Sequence, residues 1–260
     1  MLIPVEDGVH GVVAYEHLWR FAALYQARVY GVRVIDPAAV ESGLHETAEA
    51  QGLLEEDARQ RLAEFETLCQ TRGHRSKAEL IIGNFVEEVV ASSQKADFLI
   101  IGEAVSARGD KDRPRVEVVH QVLRKVAKPT LIARKGYEQL RRILVGYDGS
   151  EKGGHALQLA ADMAERTSAR LTVVAACETA QQGAPLVDWA TAYLESYRLS
   201  WKPVLLETTP NEAITQTAHD EGADLVIIGS HGKSRLHELA FGSTTNHVLE
   251  YVRASILIYR

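Results

Sequence analysis

The chain has 260 residues, a length that fits two domains of about 130 residues. Of these residues 46% are hydrophobic and 25% are charged, a composition that excludes collagen-like, disordered and low-complexity proteins. Its 29 Lys and Arg residues against 35 Asp and Glu residues give a net charge of −6, which argues against nucleic acids and anionic membranes as partners, because both favour a basic surface. Two cysteines, no visible secretory signal and no apolar run near the ~20 residues of a membrane span together predict a cytoplasmic protein.

The first half of the chain alternates short apolar runs, which are typical of buried strands, with helical patterns. Its clearest elements, in chain order, are an apolar run at residues 1–6, a helix from about His45 to Cys69, Ala-Asp-Phe-Leu-Ile-Ile-Gly at residues 96–102 and an apolar run at residues 129–134. A short polar linker follows at residues 135–142, in which Gly136 interrupts regular secondary structure. We therefore predict two domains, at residues 1–136 and 137–260.

The second half repeats the first in the same order. Residues 223–229 read Ala-Asp-Leu-Val-Ile-Ile-Gly and match residues 96–102 at five of seven positions. The predicted strands are 143–147, 171–176, 203–207, 225–228 and 256–259, and the predicted helices are 150–166 with an N-cap at Ser150, about 188–198, 211–221 and 243–252. Strict alternation predicts the α/β class, with parallel strands, right-handed crossovers and helices on both faces of each sheet. Ligands of such sheets bind beyond the carboxyl ends of the strands, where the strand order reverses.

The loop before the last helix carries the candidate binding residues. Gly229 ends a strand, Gly232 follows three residues later, and Gly242 directly precedes Ser243 at the start of the helix. Glycine lets the backbone approach a ligand without a β-carbon, and free amides at a helix start favour phosphate. The hydroxyls of Ser243 and Thr244 can add hydrogen bonds. The alternative is that the glycines only turn the chain and that Ser243 only caps the helix.

Two other phosphate motifs are excluded. Gly232-Lys233-Ser234 imitates the end of a P-loop, but that motif needs a glycine at position 227, where Ile227 lies inside a strand. No Gly-x-Gly-x-x-Gly follows the first strand of either half, so the dinucleotide fingerprint is absent. The spacing of the ten histidines does not match a zinc site.

The loop pattern Gly-x2-Gly-x9-Gly-Ser, its preceding strand and the turn Asp148-Gly149-Ser150 resemble the universal stress protein family. Both halves resemble one family unit, which suggests a tandem form. The resemblance implies two tandem doubly wound five-stranded parallel-sheet domains, Rossmann-like and similar to the adenine nucleotide alpha hydrolases. It also implies an ATP site where the glycine pattern is kept, and pairing of the two domains through their last strands, near residues 130–134 and 256–260. A homodimer is a further partner that it allows.

Carried over by resemblance, the second half holds the nucleotide. Tyr147 and Asp148 would lie near the adenine and ribose, and Ala176 would offer its backbone to the adenine edge. Gly229, Gly232, Gly242, Ser243 and Thr244 would hold the phosphates. Ser230, His231 and Lys233 are further cofactor-binding candidates of the same loop: Lys233 could supply screening charge, and the His231 side chain could equally point to solvent. The expected cofactor is ATP, with Mg²⁺ bound through its phosphates rather than by protein ligands. No catalytic residue is predicted.

The first half departs from this pattern. Gly102 is kept, but Val105 replaces the second glycine and Val116-Glu117 replaces the Gly-Ser pair. A valine side chain blocks close approach of the backbone, and a carboxylate at the helix start would repel phosphate. The sequence therefore predicts no ATP in the first half and one nucleotide per chain.

The predicted function is that of a tandem universal stress protein, which binds ATP in its second half and acts in a nucleotide-dependent stress response or signalling. A slow ATPase or phosphotransferase is the alternative from another class, and only His231, Asp148 and Glu238 offer groups for it. A structural adaptor without nucleotide is the third. The aromatic residues Trp189, Tyr193, Tyr197 and Trp201 indicate either helix packing or a lid or partner surface over the nucleotide.

Overall fold

A computed structural model of the chain describes residues 1–37, 48–103, 113–134, 139–230 and 242–260, without the side chains of 48–50 and 113–116. The chain divides into two compact units, Met1–Gly136 and Tyr137–Arg260, called unit 1 and unit 2 below. In the described ranges, no helix combines the length and the apolar character that a membrane crossing requires.

Unit 1 is a parallel sheet with helices between successive strands. Its elements are β1 Leu2–Pro4, α1 Gly8–Tyr25, β2 Val29–Ile35, α2 Ala48–Thr71, β3 Ser76–Ile82, α3 Phe85–Ser93, β4 Leu99–Gly102, α4 Arg113–Lys125 and β5 Thr130–Ala133. The strands lie in the order β3-β2-β1-β4-β5, and each neighbouring pair is parallel.

Unit 2 repeats this arrangement. Its elements are β6 Arg142–Gly146, α5 Glu151–Thr167, β7 Arg170–Cys177, α6 Ala180–Leu194, β8 Trp201–Glu207, α7 Pro210–Asp220, β9 Leu225–Gly229, α8 Ser243–Tyr251 and β10 Ser255–Tyr259. The order is β8-β7-β6-β9-β10, again with parallel neighbours. The prediction of two α/β units with parallel sheets is thereby confirmed.

The topology places a crevice at one point of each sheet. In unit 2 the chain moves outward from β6 through β7 to β8 and then returns to β9 on the other side of β6. The connections that leave β6 and β9 therefore run to opposite faces, which opens a gap at their carboxyl ends.

Apolar runs make the centre of each sheet. Leu225, Val226 and Ile227 of β9 have no exposed surface, because helices cover both faces of the strand. The side of α5 that faces the sheet is lined by alanines, including Ala156 and Ala160, which are also fully buried. Small side chains there let the helix approach the strands closely.

Two predicted helix boundaries were wrong. The helix expected at residues 188–198 is α6, Ala180–Leu194, because the Thr179 side chain caps it and the Glu207 carboxylate accepts a hydrogen bond from Ala180 N, 2.8 Å away. In unit 1, α4 begins at Arg113, so Glu117 lies in its second turn and not at its start. The other predicted elements of unit 2 differ from the observed ones by at most two residues at either end.

Candidate functional site

A cavity of about 370 Å³ opens in unit 2 at the carboxyl ends of β6 and β9, where the strand order reverses. Small-molecule sites occupy roughly 300–1,000 Å³. Its lining residues are Gly146, Tyr147, Asp148, Val174, Ala176, Leu186, Pro210, Ala213, Ile214, Ile228, Gly229, Ser230, Gly242, Ser243, Thr244 and Thr245.

Eight of the eleven residues predicted for the site line this cavity. They are Tyr147, Asp148, Ala176, Gly229, Ser230, Gly242, Ser243 and Thr244. The other three, His231, Gly232 and Lys233, lie outside the described residues, as does Glu238. The structure therefore brings together residues that are up to 97 positions apart in the sequence, from Tyr147 to Thr244.

The polar side of the cavity is the start of α8. Gly242 is the N-cap residue, and it makes no side-chain capping hydrogen bond. A β-carbon added at Gly242 would meet, within 4 Å, no atom of those residues in 1–230 and 242–260 that the structure describes, so its missing side chain leaves space in this part of the cavity wall. Ser243 is the first helical residue and does not cap the helix. The first N–H groups of a helix lack intrahelical partners, and here they lie at the cavity wall.

The Asp148 carboxylate is oriented by its own turn. Its Oδ1 accepts hydrogen bonds from Ser150 N, at 3.0 Å, and from Ser150 Oγ, at 2.6 Å. Ser150 Oγ in turn accepts a hydrogen bond from Gly153 N at 3.0 Å, which confirms the predicted N-cap of α5. Burial, followed by the charge of Asp148, raises the pKa of Tyr147. Its phenol is therefore a neutral hydrogen-bonding group beside the Asp148 side chain.

The sequence predictions missed the apolar side of the cavity. Val174 and Ile228 come from strand ends, Leu186 from α6, and Ala213 and Ile214 from the first turns of α7. The Thr209 side chain and Pro210 mark the start of α7, and this N-cap pattern was available in the sequence. That the first turns of α7 face a cavity is a consequence of the tertiary structure alone.

The structure explains the glycine at position 229 differently from the glycine at position 242. A β-carbon at Gly229 would lie 2.9 Å from the carbonyl carbon of Lys152 and 3.1 Å from Gly153 N. The start of α5 therefore packs directly on the end of β9. In unit 1, a β-carbon at Gly102 would lie 2.1 Å from the carbonyl oxygen of His10. Helix packing explains why both glycines are present, whether or not the unit holds a ligand.

The equivalent turn in unit 1 accepts hydrogen bonds from an arginine side chain of β2. Val5 N donates to Val32 O, as Tyr147 N donates to Val174 O in unit 2, so the two turns correspond. The Arg33 guanidinium donates to Val5 O at 2.9 Å and to Asp7 Oδ2 at 2.6 Å. These hydrogen bonds leave Val5 O and Asp7 Oδ2 engaged within unit 1.

A buried ion pair lies at the end of β4 in unit 1. Glu103 corresponds to Ser230, because each donates its N–H to the last strand of its sheet. Glu103 is 2% exposed, and its Oε2 accepts a hydrogen bond from Arg134 Nε at 2.7 Å and lies 2.5 Å from Arg134 Nη2 in an ion pair. A carboxylate thus stands where unit 2 has a small hydroxyl. Glu117 was expected at the start of α4, but that helix begins four residues earlier, at Arg113, so that placement was wrong; Val105 lies outside the described residues.

We expect alkaline pH to destabilise unit 1 through Tyr15, which packs against Trp19 and Phe65 and donates to Glu6 O at 3.3 Å. Burial raises the pKa of Tyr15 to about 12 from 10.0. The folded state therefore holds the proton more tightly, and the contribution to stability, present below pH 10, is lost as the pH rises towards 12. Between about pH 9 and 11, the free energy of unfolding should fall by about 1 kcal/mol more in the wild type than in Tyr15→Phe. Urea titrations measure this difference, and equal pH dependence in the two proteins would contradict it.

The sequence matches the model of the universal stress protein family twice, at residues 1–134 and 139–260. Among curated relatives, universal stress protein Slr1230 of Synechocystis sp. strain PCC 6803 is 30% identical over 144 residues, which are 55% of this chain and 50% of that protein. This chain thus spans about half the length of that relative. Universal stress protein Rv2005c of Mycobacterium tuberculosis strain H37Rv is 26% identical over 206 residues, 71% of this chain and 68% of that protein.

Solved structures share the fold of the whole chain. A universal stress protein from Archaeoglobus fulgidus DSM 4304 superposes with a TM-score of 0.82 at 17% sequence identity, and the match covers 99% of this chain and 97% of that chain. A putative universal stress protein from Pseudomonas aeruginosa UCBPP-PA14 gives a TM-score of 0.69 at 15% identity, over 99% and 92% of the two chains.

Proposed function

The chain belongs to the universal stress protein family, with one family domain at residues 1–134 and another at 139–260, and on that premise we propose that it binds one ATP in unit 2 and acts as a nucleotide-dependent stress-response protein. The observation that carries this proposal is the cavity at the β6–β9 switch point. Its wall combines an uncapped helix start with a set of apolar side chains.

The two sides of the cavity suit the two ends of a nucleotide. We assign the phosphates to the start of α8, where backbone amides and the hydroxyls of Ser243 and Thr244 can donate hydrogen bonds to anionic oxygens. His231, Gly232 and Lys233 remain predicted phosphate ligands from the sequence. Bound through the phosphates, Mg²⁺ would neutralise part of their charge.

The nucleoside then faces the strand ends. Asp148, held by Ser150 through Oδ1, has its second oxygen available to accept a hydrogen bond from a ribose hydroxyl or an amine. Ala176, near the end of β7, offers backbone groups to the edge of the base, and Ala213 and Ile214 offer carbon surface to its face.

One nucleotide per chain follows from the difference between the units. In unit 1 the buried Glu103 carboxylate occupies the position of Ser230, and Arg33 binds the turn after β1. A triphosphate at this position would compete with Glu103 for the Arg134 guanidinium, and breaking a buried ion pair costs about 3–5 kcal/mol. Pairing of the last strands, β5 and β10, and a homodimer stay predictions from the sequence.

As the mechanism of signalling we propose a population shift. ATP would favour the conformation of residues 229–242 in which the start of α8 and the preceding loop both contact phosphate, and a partner that prefers that conformation would bind more tightly. An ATPase would need a proton acceptor beside the γ-phosphate. In the described part of the cavity wall, the Asp148 carboxylate is the only ionisable carboxyl group, and it lies by the nucleoside in this assignment.

Nucleotide released from freshly purified protein tests the proposal against its rivals. We expect acid denaturation followed by chromatography to recover ATP, and recovery of no nucleotide, together with no binding of added ATP, would favour the structural adaptor. Incubation with ATP should leave the nucleotide intact. Accumulation of ADP that disappears in His231→Ala would establish the ATPase instead.

A further inference from the structure

We propose that Leu186 of α6 determines the nucleotide specificity of the cavity, because it forms the wall against which the base packs. This inference rests on the proposed ATP site. Leu186 is a half-buried residue that lines the cavity. It lies before the helix predicted from the sequence, at residues 188–198, so no sequence motif pointed to it.

The helix that carries Leu186 is held firmly in place. A β-carbon added at Gly183 would lie 2.4 Å from Leu205 Cδ1 and 2.8 Å from Cys177 Sγ, so α6 packs directly on β7 and β8. At its first turn, Ala180 N donates to the Glu207 carboxylate at 2.8 Å. Ala190 and Leu194, further along the helix, are 0% and 1% exposed. Anchored at both ends, α6 presents Leu186 as a fixed wall.

Leu186 lies beside the turn that is assigned to the nucleoside. A β-carbon at Gly149 would come within 2.8 Å of Leu186 Cδ2. Gly149 has φ +74°, a conformation that glycine adopts without strain, and it directly follows Asp148. The Leu186 side chain and the Asp148 carboxylate therefore border the same part of the cavity. A ribose or amine that binds Asp148 places the base within reach of Leu186.

Leu186 makes the apolar part of the cavity selective for size. Val174, Ala213, Ile214 and Ile228 supply the other apolar side chains there. These side chains recognise a flat ring by shape and carbon contact, and such contacts discriminate between ligands by about 10–200-fold per missing or extra group. A base that carries a bulky substituent on the edge towards α6 would collide with Leu186.

The experiment enlarges the cavity at this wall. Calorimetry on the full chain measures the affinities of wild type and Leu186→Ala for ATP, N6-benzyl-ATP and 8-benzylthio-ATP, which carry bulk on two different edges of the base. We expect Leu186→Ala to bind ATP about tenfold more weakly and to bind at least one analogue about tenfold more tightly than the wild type does. Trp189→Ala is the matched control, since Trp189 is on the same helix, is 64% exposed and does not line the cavity. It should leave all three affinities unchanged.

The outcomes separate a specificity role from a structural one. If Leu186→Ala weakens ATP and both analogues by one common factor, Leu186 only supports the fold and the inference is wrong. Unchanged affinities for all three ligands would also refute it. If the wild type fails to bind ATP at all, the proposed function fails, and this inference fails with it.

Discussion

Replacing Gly242 with valine should abolish ATP binding and leave the chain folded. Gly242 has φ −60° and ψ 158°, values that valine adopts without strain, and a β-carbon there meets no atom of the described residues within 4 Å. The added methyl groups would fill space at the start of α8 and keep phosphate oxygens from the first-turn amides. We expect affinity to fall at least 100-fold, which corresponds to about 2.7 kcal/mol. Titration calorimetry with ATP measures the change.

Gly52→Val is the matched control. Gly52 lies in α2 of unit 1, and a β-carbon there also meets nothing within 4 Å. The two variants carry the same change of side chain, so their thermal unfolding should resemble that of the wild type. Only Gly242→Val should lose ATP. Undiminished affinity in Gly242→Val would show that the start of α8 does not hold the phosphates.

Replacing Arg134 with leucine should destabilise unit 1 by about 3–5 kcal/mol. The side chains of Arg134 and Glu103 are 5% and 1% exposed, and the pair is joined at 2.5 Å. Glu103 Oε1 already lacks a hydrogen-bond partner among the described residues. Loss of the guanidinium would leave a buried carboxylate without its counter-charge. The free energy of unfolding, from urea titrations, measures the cost.

A second substitution separates the loss of charge from the loss of packing. In the double variant Glu103→Leu/Arg134→Leu no charge is buried, so most of the lost stability should return. Arg124→Leu is the control, because Arg124 is exposed at the end of α4 and its loss should change stability by no more than about 0.5 kcal/mol. A cost for Arg134→Leu no larger than that of Arg124→Leu would contradict the account of this ion pair.

The fold was predictable because its signals are local and repeated. The two Ala-Asp-x-x-Ile-Ile-Gly segments became β4 and β9, both interior strands of a parallel sheet. Ser150 was predicted as an N-cap, and it caps α5. Such features depend on a few neighbouring residues, so they can be read from the chain without knowledge of tertiary contacts.

The polar side of the site was predictable for the same reason, and the rest was not. Asp148, Ser243 and Thr244 belong to short motifs, and they line the cavity. Leu186 reaches the cavity because the Glu207 carboxylate and the close approach at Gly183 position α6. These are contacts between residues distant in sequence, and no local pattern contains them.

Unit 1 shows the limit of matching motifs by position. Its helix α4 begins three residues before Val116, so a carboxylate expected at the helix start is instead exposed in the second turn. The buried carboxylate of this region is that of Glu103, and its partner Arg134 lies 31 residues further along the chain. An ion pair between two strand ends follows from the sheet register, which a single sequence does not specify.

Native mass spectrometry of the full chain in the presence of MgATP tests the central claim most directly, because it counts nucleotides on each protein molecule. We predict saturation at one ATP per chain in the wild type and none in Gly242→Val. Saturation at two per chain, or one ATP retained at undiminished affinity in Gly242→Val, would contradict the assignment of a single site to unit 2.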